Sequence, residues 1–175
     1  MKILILNGSP RKNGNVASLL KKESDRLLKK NPDAEIIWEN VSDLNFNFCH
    51  GCMACRSKGS CLLPEDDAHK IENEIKECDM LMVGTPVYWA NMNGKLKSLF
   101  DRLVGILMGE SKRGIPLPLH KGKKAIIVTS CTTPFPFNYI CGQSSGAVRA
   151  VKEVLKSSGF KVIRKINLSN TKKRK

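Results

Sequence analysis

Short aliphatic runs recur along this chain of 175 residues, and segments with helical spacing of apolar side chains separate them. The runs lie at residues 3–6, 35–39, 80–84, 125–128 and 162–166. Uninterrupted runs of this length are typical of parallel strands buried on both faces, whereas the charges at both ends of residues 35–39 favour a strand near an edge. The alternation predicts an α/β fold with a five-stranded, doubly wound parallel sheet.

The segments between these strands are predicted to be helices. One should end near residues 31–32, one begin at residues 64–67 and one cover residues 146–158. Residues 108–123, rich in Gly, Pro and Lys, predict a long loop. From Asn93 onward a helix should bury the stripe Leu96, Leu99, Phe100, Leu103, Val104 and Leu107, while Lys95, Lys97 and Arg102 lie off that stripe.

Right-handed crossovers bring the loops after the first, third and fourth strands to one edge of such a sheet. An open sheet binds its ligand at this edge, where the strand order reverses. Ligand loops after the first and third strands therefore predict the flavodoxin-like order 2-1-3-4-5, within a single domain spanning residues 1–175.

Composition limits the cellular location and the partners that we expect for this chain. The number of cysteines, seven, is odd, and the apolar run at residues 3–6 is too short for a signal peptide or a membrane span. We expect a cytoplasmic protein with reduced thiols and no membrane span. The formal net charge of +14 is dispersed over expected helix surfaces and a basic tail at residues 169–175, and no nucleic-acid-binding motif accompanies it, so we expect no specific nucleic-acid partner.

The loop between the first strand and the first helix, residues 8–15, is predicted to bind a phosphate group. It combines the Ser9 hydroxyl, the Arg11 guanidinium and the Asn13 and Asn15 amides with the free N–H groups of a helix start. It is neither a Walker A loop nor a G-x-G-x-x-G loop. An ordinary capped loop is the alternative.

Aromatic residues follow the third strand, because Tyr88 and Trp89 come directly after Thr85-Pro86-Val87. Their place at the carboxyl end of a strand suggests a planar ligand, and the alternative is that both rings belong to the core. Ser130 and Cys131 follow the fourth strand at the same predicted edge, together with further hydroxyls and aromatic rings.

Four of the seven cysteines fall in one cysteine-rich loop at residues 47–64, with the spacing C-x2-C-x2-C-x5-C. One loop that contains four soft sulfur ligands, Cys49, Cys52, Cys55 and Cys61, can supply all the protein ligands of a [4Fe-4S] cluster. Four-cysteine zinc sites usually combine two C-x2-C pairs roughly 15–20 residues apart. Zinc, reduced thiols and disulfides are the alternatives, and Cys78, Cys131 and Cys141 are scattered elsewhere.

No side chain is predicted to carry out catalysis itself. His50, His69 and His120 belong to no catalytic arrangement, and we expect each of them on the surface. Neither a Ser-His-Asp combination nor a pair of carboxylates is visible.

Together, these motifs resemble the iron-sulfur flavoprotein branch of the NADPH-dependent FMN reductase family, which has the flavodoxin-like fold. The resemblance covers residues 1–166. It depends on Asn-Gly-Ser-Pro-Arg after the first strand, the four-cysteine loop with Asp66-Asp67 behind it, Thr-Pro-Val-Tyr-Trp after the third strand, and Leu-Phe-Asp-Arg at residues 99–102. The chain departs from the family after the fifth strand, where no apolar periodicity predicts a closing helix.

The resemblance implies FMN, a [4Fe-4S] cluster on the four cysteines of the loop, and a homo-oligomer, dimer or tetramer, that brings cluster and flavin close across subunits. It implies that the FMN phosphate is held at the first loop by Ser9, Arg11, Asn13, Asn15 and Val16. The flavin ring is then expected against Thr85, Pro86, Val87, Tyr88, Trp89, Asn91, Ser130 and Cys131.

The implied function is a redox protein that passes electrons between FMN and the cluster. FMN exchanges one or two electrons and a [4Fe-4S] centre passes one, so the pair connects the two kinds of transfer. The implied electron donor is NAD(P)H or ferredoxin. Two alternatives stay open: an NAD(P)H-dependent FMN, quinone or nitro-compound reductase without a cluster, and a flavodoxin-fold binding or regulatory protein with zinc or no metal.

Overall fold

The computed structural model describes residues 1–111 and 113–173. Its strands, in chain order, are β1 (Lys2–Asn7), β2 (Glu35–Asn40), β3 (Met80–Pro86), β4 (Met108–Glu110), β5 (Pro116–Pro118), β6 (Lys124–Ser130) and β7 (Lys161–Leu168). Five of them form a parallel sheet in the order β2-β1-β3-β6-β7. This confirms the predicted flavodoxin-like order, with β2 at one edge.

Helices lie on both faces of this sheet. They are α1 (Asn15–Lys30), α2 (Cys55–Lys58), α3 (Asp67–Glu77), α4 (Gly94–Arg102), α5 (Val104–Leu107), α6 (Phe137–Ile140) and α7 (Gln143–Ser157), and a 3-10 turn spans Thr171–Lys173. Among the described residues, none of these helices is long and apolar enough to cross a membrane.

Alternate residues of the central strands enter two separate cores, because successive side chains of a strand point to opposite faces. Leu4 and Leu6 of β1 pack in the larger core, with α3, α4 and α7. Ile3 and Ile5 of the same strand pack in the smaller core, against α1. Both faces of β1 are therefore buried, as its continuous aliphatic sequence predicted.

The predicted helix from Asn93 is interrupted, and one of its residues was misjudged. α4 ends at Arg102 and the short α5 begins at Val104. The side chain of Arg102, expected off the buried stripe, is fully buried because Asp66 pairs with it. Helical periodicity cannot show a partner 36 positions away.

Two further predictions from the sequence were wrong, one about a loop and one about a histidine. The predicted loop at residues 108–123 contains an antiparallel hairpin, β4 with β5. His120, expected on the surface, is buried, stacks on Phe160 at 5.0 Å between ring centroids and hydrogen-bonds through Nε2 to the Ile106 carbonyl at 2.8 Å. Burial lowers the pKa of His120, so the ring is neutral at pH 7.

The sheet face beside β7 is not covered by a further helix in the described residues. Beyond β7 the described chain has only the 3-10 turn, and a cleft of about 690 Å³ separates α1 from β7. Lys21, Arg26, Arg164 and Ile166 are among its lining residues. The sequence after the fifth strand has no apolar periodicity, which is consistent with the lack of a covering helix in the described residues. The last two residues of the basic tail lie outside the described residues.

Leu20 is predicted to be a main contributor to the smaller core. Its side chain is fully buried against β3, so Leu20→Ala should lower the free energy of unfolding by about 2–5 kcal/mol. The neighbouring Leu19 is only half-buried, and Leu19→Ala should cost less than half as much. Urea unfolding of both variants measures the difference, and equal losses would contradict this packing.

Candidate functional site

The loops after β1, β3 and β6 meet at the carboxyl edge of the sheet. The Gly8 N–H donates to the Gly84 carbonyl at 2.7 Å, which joins the first two loops. The Val87 N–H donates to the Ser130 carbonyl at 2.9 Å, which joins the second loop to the third. The predicted site residues on these three loops therefore lie along one edge.

The first loop is folded around Ser9. The Ser9 hydroxyl oxygen is buried and accepts the Arg11 N–H at 3.1 Å, while the Ser9 N–H donates to Asn7 Oδ1 at 3.2 Å. Arg11 and Asn13 are exposed above this turn. The fold of the loop is thus set by its own short hydrogen bonds, and its longer polar side chains remain available to a ligand.

The start of α1 is open for an anion. Its N-cap is Gly14, no side chain caps it and no acidic residue lies in its first turn. Within the described chain, the N–H groups of Asn15, Val16 and Ala17 have no protein acceptor. Free N–H groups at the positive end of a helix dipole are suited to phosphate, and no side chain takes that place here.

A tight turn presents Tyr88 and Trp89. The backbones of Tyr88 and Asn91 exchange hydrogen bonds at 3.0 and 2.9 Å, and Trp89 and Ala90 between them have φ of 50° and 57°. Non-glycine residues at positive φ are strained, and such strain clusters at ligand sites. Trp89 is 99% exposed, so the alternative that it belongs to the core is wrong.

Two neighbouring elements hold this turn. Buried Thr85 accepts the Asn93 N–H through its hydroxyl at 2.9 Å and fixes the return of the chain into α4. Gly146 in α7 lies so close to the turn that an added Cβ would overlap the Ala90 carbonyl oxygen. The glycine requirement was not predicted, because only the three-dimensional contact reveals it.

Apolar side chains border the same edge after β6. Ser130 and Cys131 are buried there, as is the Asn138 amide of α6. We call the exposed side chains beyond them the aromatic rim: Phe135, Phe137, Tyr139 and Ile140. Exposed apolar patches of this kind mark binding or association surfaces.

The cysteine loop follows β2 and passes beside α3, α4 and α5. All four of its cysteines are free, with Cys49 and Cys52 exposed and Cys55 and Cys61 half-buried. In residues 1–111 and 113–173 the sulfurs are not gathered in the geometry of a metal site. The loop carries left-handed residues at Gly51, Met53 and Gly59, which give it its tight bends.

The donor set nevertheless suits a soft metal centre. Burial raises the pKa of the Cys55 thiol, and the neighbouring cysteines of the loop raise it further, so the four sulfurs repel one another once ionised. A bound cation would remove that repulsion. Cys78 is different, because burial raises its pKa to about 11 and keeps it a protonated, apolar thiol.

Cys61 is held at every backbone and side-chain polar atom. Its N–H donates to Glu72 Oε1 at 3.2 Å, and its carbonyl lies 3.1 Å from His69 Nε2. Its Sγ accepts the Arg102 Nε–H at 3.2 Å. Sequence reasoning did not predict Glu72, His69 or Arg102 as neighbours of a ligand; only the motif Leu-Phe-Asp-Arg drew attention to Arg102.

Both candidate sites border α4. Asn93, which caps the start of α4, bonds to Thr85 at the carboxyl edge, and Arg102 at its end contacts Cys61 of the cysteine loop. Nine helical residues span about 13 Å, so these two contacts are about one helix length apart. Phe48, at the beginning of the cysteine loop, lines a pocket with Gly94 and Lys95 at the start of α4.

Comparison with known proteins identifies relatives of this chain. It is 31% identical over 153 residues to an iron-sulfur flavoprotein of Clostridioides difficile, covering 83% of this chain and 67% of that protein. It is 39% identical over 102 residues to an iron-sulfur flavoprotein of Archaeoglobus fulgidus, covering 58% of this chain but only 48% of that protein. The chain thus spans between about half and two thirds of these relatives.

A solved structure has the same fold. The crystal structure of an FMN-dependent NADH-azoreductase from Bacillus anthracis in complex with FMN superposes with a TM-score of 0.73 at 16% identity, over 97% of this chain and 87% of that one. The model of the NADPH-dependent FMN reductase family matches residues 1–169. The resemblance drawn from the motifs is confirmed, and the chain belongs to the NADPH-dependent FMN reductase family.

Proposed function

We propose that the protein is an FMN-dependent oxidoreductase that also binds a [4Fe-4S] cluster and passes electrons between the two. The observation that carries this proposal is the pairing, on one chain, of an uncapped helix start at the carboxyl edge with four free cysteines in a single loop. The family supports FMN, and the names of the two relatives described above support the cluster.

The FMN phosphate is assigned to the first loop. The Ser9, Arg11, Asn13 and Asn15 side chains and the free N–H of Val16 surround the positive end of α1. The flavin ring is assigned to the adjoining edge, against the backbone and side chains of Thr85, Pro86, Val87, Tyr88, Trp89, Asn91, Ser130 and Cys131. FMN supplies hydride and one-electron chemistry; the protein binds and orients it and limits the access of water.

The cluster is assigned to Cys49, Cys52, Cys55 and Cys61. Cys55 and Cys61 are already fixed against neighbouring elements, since Gly105 of α5 touches the Cys55 backbone. Cys49 and Cys52 are exposed and lie next to residues with left-handed backbone conformation. Their side chains can therefore rotate so that the sulfurs face Cys55 and Cys61.

The partners follow from this arrangement. The aromatic rim offers an apolar surface beside the proposed flavin edge. A homo-oligomer, dimer or tetramer, would cover that rim and bring the cluster of one chain toward the flavin of another. NAD(P)H is the electron donor that the family favours, and ferredoxin is the alternative.

A second candidate function is an NAD(P)H-dependent reductase of FMN, quinones or nitro compounds without a cluster. It is favoured by the exposure of Cys49 and Cys52 and by the spacing of the cysteine sulfurs in the described residues, which do not form a ligand cluster. A binding or regulatory protein with zinc or no metal is the third candidate, and metal analysis separates all three.

Arg11→Ala is expected to weaken FMN binding tenfold or more. It removes a charge-assisted hydrogen bond to phosphate of about 1.5–3 kcal/mol, and 1.4 kcal/mol corresponds to a factor of ten. Lys12→Ala is the matched control, because the Lys12 ammonium already pairs with Asp43 at 2.9 Å. Titration of apo-protein with FMN measures both, and equal affinities in the two variants would remove Arg11 from the site.

Trp89→Ala is expected to change the fluorescence of bound flavin while leaving the free energy of unfolding of the apo-protein within about 0.5 kcal/mol of wild type. The reason is that the indole is fully exposed beside the proposed ring site. Ile163→Ala removes another exposed hydrophobic side chain, on β7 and outside the three loops, and should leave the flavin signal unchanged. A stability loss of about 3–5 kcal/mol would indicate a core residue instead.

Anaerobically purified protein is expected to contain about four irons and four sulfides per protomer. Cys55→Ala should lower the iron content or leave a labile three-iron centre, because each iron needs an outer ligand, while FMN content is unchanged. Cys141→Ala, which removes an exposed cysteine outside the loop, should keep the iron. Near-zero iron in wild type, or equal iron in both variants, would favour the reductase without a cluster.

A further inference from the structure

Arg102 joins the two ends of the cysteine loop. Its Nη1 donates to the Asn47 carbonyl at 2.7 Å, just before Cys49, and to Asp66 Oδ2 at 2.7 Å. Its Nη2 donates to Asp66 Oδ1 at 3.0 Å, just after the loop. The guanidinium therefore closes the loop at its base, and the bidentate pairing compensates for the burial of its charge.

The remaining nitrogen serves no such structural purpose. Nε donates to the Cys61 sulfur at 3.2 Å, although Asp66 and the Asn47 carbonyl already anchor the other end of the guanidinium. The carboxylate of Asp66 is itself fixed, because it also caps α3 by accepting the Ala68 N–H at 3.1 Å. The direction of Nε is thus determined by the capped helix behind it.

This geometry points to a specific role for Arg102, which rests on the proposed cluster: Arg102 is a positioning residue that presets Cys61 as a ligand and makes reduction of the cluster easier. Reduction adds one electron, and no proton, to a centre whose four thiolates already make it anionic. Hydrogen bonds to the cysteine sulfurs and nearby positive charge set the potential of such centres. A buried N–H and cation at one sulfur therefore favour the reduced state.

Arg56, the arginine within the cysteine loop, is placed differently. Arg56 lies next to Cys55, but its exposed guanidinium turns to Glu110 Oε2 at 3.0 Å. Solvent screens its charge, and it donates to none of the loop sulfurs in the described residues. Arg56 and Arg102 therefore form a matched pair that differs in the hydrogen bond to sulfur.

The test compares Arg102→Lys with Arg56→Lys in anaerobically reconstituted protein. Both changes keep a positive charge, but only Arg102→Lys removes the directed Nε–H. Potentiometric titration with dithionite, followed by the EPR signal at each poised potential, should show reduction disfavoured about tenfold in Arg102→Lys, which is 59 mV for one electron, and unchanged in Arg56→Lys. Equal potentials in these two variants would overturn the inference while leaving the cluster assignment intact.

A second variant covers the case in which Arg102→Lys does not fold. The double variant Arg102→Met/Asp66→Asn removes both charges of the buried pair, so neither is left unpaired, and Asn keeps a good N-cap for α3. It loses the N–H donor to the Cys61 sulfur, so reduction should again be disfavoured, and an unchanged potential would overturn the inference. Wild-type protein that takes up no iron on reconstitution would overturn the proposed cluster, and the role of Arg102 with it.

Discussion

Burial of both faces of β1 and β3 is the constraint on which the rest of the structure depends. Ile3 and Ile5 face one core while Leu4 and Leu6 face the other, so helices must cover both sides of the sheet. Parallel strands then need crossovers, and all their exits gather at one edge. The loop at residues 8–15 and the aromatic turn are adjacent because of this topology, although they are separated by more than 70 positions in the sequence.

The strands and their order could be predicted from sequence because local patterns determine them. Aliphatic runs predict buried strands, and the polar residues of the loop at residues 8–15 can be identified from the sequence of that loop alone. Arg102 and His120 could not be placed in this way, because their burial depends on Asp66 and Ile106, which are distant in sequence. Periodicity reports which residues share a face of a helix, but it does not report which partner makes a buried charge tolerable.

The site shows the same division between local and non-local information. Residue types and spacing indicated a phosphate loop and a thiolate loop, since both kinds of chemistry belong to short segments. The support around each loop was not visible: Gly146 must lack a side chain because the Ala90 carbonyl is close, and Cys61 is fixed by Glu72 and Arg102. These supports come from other elements of the fold.

The two sites differ in how much order they already possess. The first loop holds its shape through Ser9 and leaves helix N–H groups free, so an anion can bind there without reorganising the backbone. In the cysteine loop Cys49 and Cys52 are exposed, and the proposed metal would have to order this half of the loop, which would cost conformational entropy.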